Sequence, residues 1–299
     1  MINLEKHQAG LAFLLALITI AGWRPLVETF ALALRDDQYT YILLILPIGV
    51  ALIFLDWRSL RAKLSANVPA GIALLTIAVL IACSALLWSG SLPLDVQLSI
   101  KMTALVFSWV GAFVLFLGLK AARSVSFPLI FLFALVPLPQ SVLDVVVSLL
   151  QQSSAWTAAM MFSAFGVPVA QDGVLLTIPG LTLQVAQECS SIRSSSMLLV
   201  TTMVLAQLIL RSPWRKALLI FLAVPLSVAK NGLRIFSIAM LGTQVDRKFI
   251  TGSFHHQGGI IFFAIALMAT FGLLWVLRRG EILSPDLAPI PVKVAVTED

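Results

Sequence analysis

The sequence predicts an all-α polytopic membrane protein of about eight transmembrane helices, with a short extracytoplasmic β-hairpin just before the sixth. Composition, hydropathy and the spacing of apolar runs lead there. Of 299 residues, 60% are apolar and only 11% charged, whereas soluble domains carry roughly 25% charged residues. The mean hydropathy is +1.01. A disordered chain, a coiled coil and an ordinary soluble domain are all excluded. The formal charge of +6 and pI of 9.7 would suggest nucleic-acid affinity in a soluble chain. Here they read as loop charges that set membrane orientation, and no nucleic-acid partner is expected.

Apolar runs fall near residues 10–23, 41–56, 69–88, 102–119, 127–148, 196–210, 217–241 and 259–277. A crossing helix needs about 20 residues, so the first, second and sixth runs are short. No small-residue cleavage site follows the first run, which is therefore read as a retained helix rather than a signal peptide. With a cytoplasmic N-terminus, one side collects Arg58, Arg61 and Lys63, then Lys120 and Arg123, then Arg211, Arg215 and Lys216, and finally Arg278 and Arg279. The other side of the early half carries only Arg24 and Arg35, with Lys101 at a boundary, and its loop 89–98 has no cation, so the positive-inside rule selects this orientation in the cell membrane, with both termini cytoplasmic. Residues 1–280 are read as one transmembrane domain, followed by a loose cytoplasmic tail over 281–299.

This topology places 149–195 and 242–258 outside the cytoplasm. Residues 151–171 are amphipathic and read as an interfacial or short re-entrant helix. Val174–Ile178 and Leu181–Val185 then read as two strands around Pro179-Gly180.

Candidate chemistry clusters in the second half of the chain. Cys189 stands where a strand hands over to a helix, beside Glu188 and one turn before Arg193. Helix-terminal amides and a nearby cation favour a thiolate. A cysteine in a membrane protein is more often a small hydrophobe, and Cys83, inside an apolar run, fits that reading. Lys230 and Arg234 share one helix face inside an otherwise apolar run, with Asn231 beside them. Charge at mid-bilayer costs about 2.5–3.5 kcal/mol or more, so these residues face a polar cavity or lie near the outer end, unless Lys230 snorkels to lipid. His255 and His256 precede the last span, and imidazole moves protons near neutral pH. All three features reach the same outer face. A thiolate, a fixed cation for a developing oxyanion and an imidazole are what acyl transfer at a peptide bond requires. No cofactor is called for, and the cysteine and histidine spacing suggests no metal site.

Glu188-Cys-Ser-Ser-Ile-Arg193, Asn231-Gly-Leu-Arg-Ile235 and His255-His-Gln-Gly-Gly-Ile-Ile-Phe-Phe263, in that order, resemble the exosortase and archaeosortase transpeptidases. Asp37-Gln-Tyr-Thr-Tyr41 and Val136-Pro-Leu-Pro139 look like two upstream elements of that family, and the similarity covers roughly residues 35–280. Two departures stand out: Ser191 where the family more often has glycine, and Thr40 where it has an early histidine.

The resemblance implies Cys189 as nucleophile, Arg234 as the transition-state arginine and His255 as acid/base, with His256 as the alternative because Gly258 shifts the alignment by one. Arg193, Asn231, Lys230 and Glu188 are supporting candidates. The implied partners are exported proteins whose C-terminal sorting signal comprises a short motif, a membrane helix and a basic end. Cleavage passes through a thioester, resolved by water or by an acceptor amine, which a glycan or lipid could carry. A transporter or lipid-binding scaffold, holding an anionic head group at Lys230 and Arg234, is the competing reading.

Overall fold

The computed structural model describes residues 2–57, with side chains from Ala9 onward, and residues 60, 65–185, 192–244 and 259–282. Arg58, Arg61 and Lys63, and the tail beyond Ile282, lie outside the described residues. Six described helices are long and apolar enough to cross a membrane, or up to eight if each of two bent pairs counts as one span. With one small sheet, this is the helical polytopic architecture that the sequence predicts. By residue contacts the chain divides into two compact units, Met1–Ser148 and Leu149–Asp299.

In the first unit, helices α1 (Ile2–Ala21) and α2 (Trp23–Arg35) are followed by a 3-10 turn (Asp37–Tyr39), α3 (Ile42–Leu55), α4 (Val68–Leu87) and α5 (Leu94–Leu117). Short helices α6 (Leu119–Ser124) and α7 (Ser126–Phe131) and a second 3-10 turn (Leu132–Leu135) lead into α8 (Gln140–Ala164). Helix α5 is central, burying Met102, Val106, Ala112 and Val114 among others. Helix α4 lies close along it at Gly71, where a Cβ would stand 2.5 Å from the Leu115 Cα. In lipid no hydrophobic force draws helices together, so such small-residue contacts supply the packing.

Two sequence expectations change here. Helix α2 replaces the expected loop after residue 23. It bends 69° from α1 at Gly22, where a Cβ would meet Leu105 Cδ1 at 2.6 Å. Arg24, Glu28 and Arg35 dilute its hydropathy, yet it buries Thr29 and Ala33 while Val27 and Leu34 stay exposed. The expected single span 127–148 is instead broken at 136–139 and bent by 101°. Pro137 and Pro139 forbid a continuing helix, and the freed carbonyls need donors. Ser99 Oγ donates to Pro137 O (2.6 Å) and Tyr39 Oη to Leu138 O (2.8 Å), while Gln140 N donates to Asp95 Oδ2 (2.7 Å). The two upstream motif-like elements, around Tyr39 and around Pro137, therefore meet.

The second unit holds the end of α8, a three-stranded sheet, and helices α9 (Ile192–Ile209), α10 (Pro213–Gln244) and α11 (Gly259–Ile282). Residues expected as a separate interfacial helix continue α8 as far as Ala164. The predicted hairpin is present as β2 (Leu175–Ile178) and β3 (Leu181–Gln184), paired with Ile178 opposite Leu181. Gly180 takes φ +81 after Pro179, a backbone that suits glycine in a two-residue turn. A further strand, β1 (Ala170–Asp172), pairs antiparallel with β2 and gives the order β1-β2-β3.

The sheet lays Leu176 and Ile178 against Ala155, Ala158 and Phe162 of α8 and Ile235 and Ala239 of α10. Phe236 sits 5.1 Å from Phe162 and 5.0 Å from Phe165, ring centre to ring centre. At the other end of α10, buried Glu281 of α11 accepts from Ser212 N (2.7 Å) and, through both oxygens, from Arg211 N (3.1 Å). The carboxylate takes up amides at the start of α10, where the helix dipole favours negative charge. Arg215 Nη1 donates to Leu277 O (2.8 Å), so the basic turn between α9 and α10 and the basic end of α11 meet.

Candidate active site

Helix α10 carries a polar stripe through an apolar sequence. Ser227, Lys230, Asn231 and Arg234 follow i, i+3, i+4, i+7 spacing, which puts them on one face. All four are buried, Asn231 completely and Arg234 to 9% exposure. Arg234 is 21 residues beyond Pro213, or about 31 Å along the helix at 1.5 Å per residue. That is roughly the hydrocarbon thickness of a bilayer.

The neighbouring face explains the glycine in Asn231-Gly-Leu-Arg234. A Cβ on Gly232 would stand 2.6 Å from Thr157 Cγ2 and 3.2 Å from Ala158 N. Only glycine lets α10 approach α8 this closely, and Ile235 and Ala239 continue the contact along the helix.

The polar stripe meets the first turn of α9. Ser227 Oγ and Ser195 Oγ are 2.6 Å apart, and Lys230 Nζ donates to Ser194 Oγ. Serine hydroxyls suit this place because they donate or accept as required without adding a charge. Lys230 and Arg234 are thus enclosed about one helical turn apart.

The approach to this face is also fixed. Gln151 Nε2 of α8 donates to Val185 O (3.1 Å), and Val185 N donates to Val174 O (2.9 Å). Val185 is the last described residue before 186–191, and the chain resumes at Ile192.

Lys230, Asn231 and Arg234 are therefore brought onto one buried face, while Arg193 is exposed on the first turn of α9. Glu188, Cys189, His255 and His256 lie outside the described residues. Sequence reasoning did not single out Ser194, Ser195, Ser227, Gly232 or Gln151. A serine run opening an apolar helix, and a serine three residues before a buried lysine, were the available signals. Among the described residues no group of three or more His, Cys, Asp or Glu side chains could hold a metal ion.

An ionisable stripe enclosed on a helix long and apolar enough to cross a membrane defines a polytopic membrane protein with a buried polar site. The chain belongs to the transmembrane exosortase family, whose family model matches residues 32–272. That range takes in all three motifs of the second half. No curated protein and no solved structure matches the chain.

Proposed function

We propose that this exosortase-family protein is a membrane-embedded cysteine endopeptidase and transpeptidase that cleaves the C-terminal sorting signals of exported proteins. The observation that carries the reading is the buried face of α10 that holds Lys230 and Arg234, with Lys230 bonded to the first turn of α9. Cys189 precedes that helix by three residues and His255 precedes α11 by four.

In this reading the Cys189 thiolate attacks the scissile carbonyl carbon, and Arg234 holds the resulting oxyanion. Its planar guanidinium keeps its charge and offers several donors. Collapse of the tetrahedral intermediate breaks the C–N bond, and the departing amine takes a proton from the imidazolium of His255, or of His256 if that is the acid. The thioester is then attacked by water or an acceptor amine, which gives its proton back to the imidazole as the thiolate leaves. Asn231 and Lys230 shape the polar face, and Glu188 and Arg193 flank the thiol in sequence. The basic turn and the site lie about one bilayer thickness apart. The positive-inside rule then puts the site on the extracytoplasmic side of the cell membrane, both termini in the cytoplasm, and the substrate's basic end in the cytoplasm. Residues 1–280 act as one domain in this scheme.

The test is expression of wild type and Cys189→Ala beside an exported protein of the same genome that ends in a short motif, an apolar helix and a basic tail. Intact mass should show a shortened or ligated product with wild type only, and added amines should raise the ligated share if transfer occurs. Two buried cations on one face also suit an anionic lipid head group. Undiminished function in Cys189→Ala would favour that scaffold reading.

A further inference from the structure

We propose that Ser194, Ser195, Ser227 and Lys230 form a two-point clamp that positions the nucleophile segment. The clamp fastens the first turn of α9 to the cationic face of α10 in one register. This inference rests on the reading of Cys189 as nucleophile.

The geometry has the form that positioning requires. The two bonds join adjacent residues of α9, Ser194 and Ser195, to residues one turn apart on α10, Lys230 and Ser227. A single bond leaves two helices free to rotate about it, whereas two bonds at different heights fix both slide and rotation. Elsewhere α9 meets its neighbours through apolar contacts, Ala206 packing with Leu219 and Leu274, and through one polar bond near its far end, where Lys216 Nζ donates to Gln207 Oε1 (2.8 Å). Apolar surfaces in lipid resist sliding weakly, because lipid tails are as apolar as leucine. Polar bonds at the start of α9 therefore decide where the chain before Ile192 is delivered. On the upstream side Val185 is held by Gln151 and Val174. Ser227 and Lys230 lie on the helix face that carries Arg234, so the clamp ties the start of α9 to that face.

Lys230 is thereby given a role apart from binding a head group. It is 5% exposed, and its bond goes to a hydroxyl of α9. A lysine snorkelling to lipid phosphate would leave Ser194 and stay solvent-accessible. Ser195 and Ser227 make the second point without any charge, so removing one oxygen from either is a mild change to the fold.

The test uses the full-length protein in detergent on a Cys83→Ala background, so that Cys189 is the remaining thiol. Cys83 is exposed and lies outside the site. Alkylation of Cys189 by iodoacetamide is followed against pH, and processing of the sorting-signal reporter is followed in membranes. Ser195→Ala, Ser227→Ala and Lys230→Met should each lower kcat about 10- to 100-fold at little-changed KM, the effect expected of an ångström-scale misplacement. Each should also move the alkylation midpoint upward, toward that of Arg234→Ala. The Ser195→Ala/Ser227→Ala double variant should be no worse than the single variants, and Ser227→Thr should restore most of the rate.

Alkylation profiles identical to wild type with kcat within about twofold would overturn the clamp. So would losses confined to KM, or additive losses in the double variant. If an alanine variant does not accumulate, failure of the hydroxyl-keeping Ser195→Thr and Ser227→Thr variants to hold the wild-type alkylation midpoint counts against it as well. Activity in Cys189→Ala would instead overturn the nucleophile reading itself, so the two failures are distinguishable.

Discussion

One polar cluster in the first unit and one in the second are used differently. In the first, Tyr39, Ser99 and Asp95 all bond to backbone, at Leu138 O, Pro137 O and Gln140 N. They satisfy groups that the prolines of 136–139 would otherwise leave unpaired. In the second, Lys230 bonds to Ser194 and Ser227 to Ser195, side chain to side chain. A polar side chain that satisfies backbone is accounted for by folding. A buried cation held by a hydroxyl carries a desolvation cost that folding alone does not explain. The contrast separates scaffold from site without any appeal to motif.

The largest effect should come from Arg234→Lys, which keeps the charge but loses the planar fork. Processing should fall roughly 100- to 1000-fold, the range seen when one oxyanion donor is removed, while thermal unfolding in detergent changes little. An unaltered rate would break the contrast at its centre. Next comes Gly232→Ala, whose added Cβ meets Thr157 and Ala158, with an expected loss of about 1–3 kcal/mol of stability together with activity. Gly71→Ala in the first unit should lose similar stability, because its Cβ meets the Leu115 backbone, but should retain activity per folded molecule. Gly90→Ala, with nothing within 4 Å of the added Cβ, is the silent control.

Glu281→Ala strands the amides of Arg211 and Ser212 and should cost about 1–3 kcal/mol, read as a lower unfolding temperature. Apart from the Gly90→Ala control, Tyr39→Phe should have the smallest effect, about 1 kcal/mol, with the processing rate per folded molecule unchanged. A rate loss in Tyr39→Phe beyond its loss of folded protein would show that the first unit does more than scaffold.

The sequence made much of this legible, and the exceptions have physical reasons. Apolar runs located the main helices because length and hydropathy suffice in lipid. Pro179-Gly180 announced the hairpin because few residues accept the backbone at Gly180. Strand β1 was missed because Ala170-Gln-Asp172 shows no alternation and pairs only through β2. Helix α2 was missed because three charged residues lower its hydropathy, although its apolar side is periodic. The break at 136–139 was hidden because its carbonyls are satisfied by Ser99 and Tyr39, far away in sequence. At the site, the i, i+4 pairing of Lys230 with Arg234 could be read directly. The Lys230–Ser194 and Ser227–Ser195 pairs could not, since register between helices leaves no period in either one.

The most direct measurement is the mass of the peptide containing residue 189 after wild-type protein is mixed with the sorting-signal reporter and quenched in acid. The account predicts an adduct equal to the reporter's N-terminal fragment joined as a thioester, present in wild type and lost in Arg234→Ala. Reporter cleavage that persists in Cys189→Ala, with no adduct on the wild-type peptide, would contradict it.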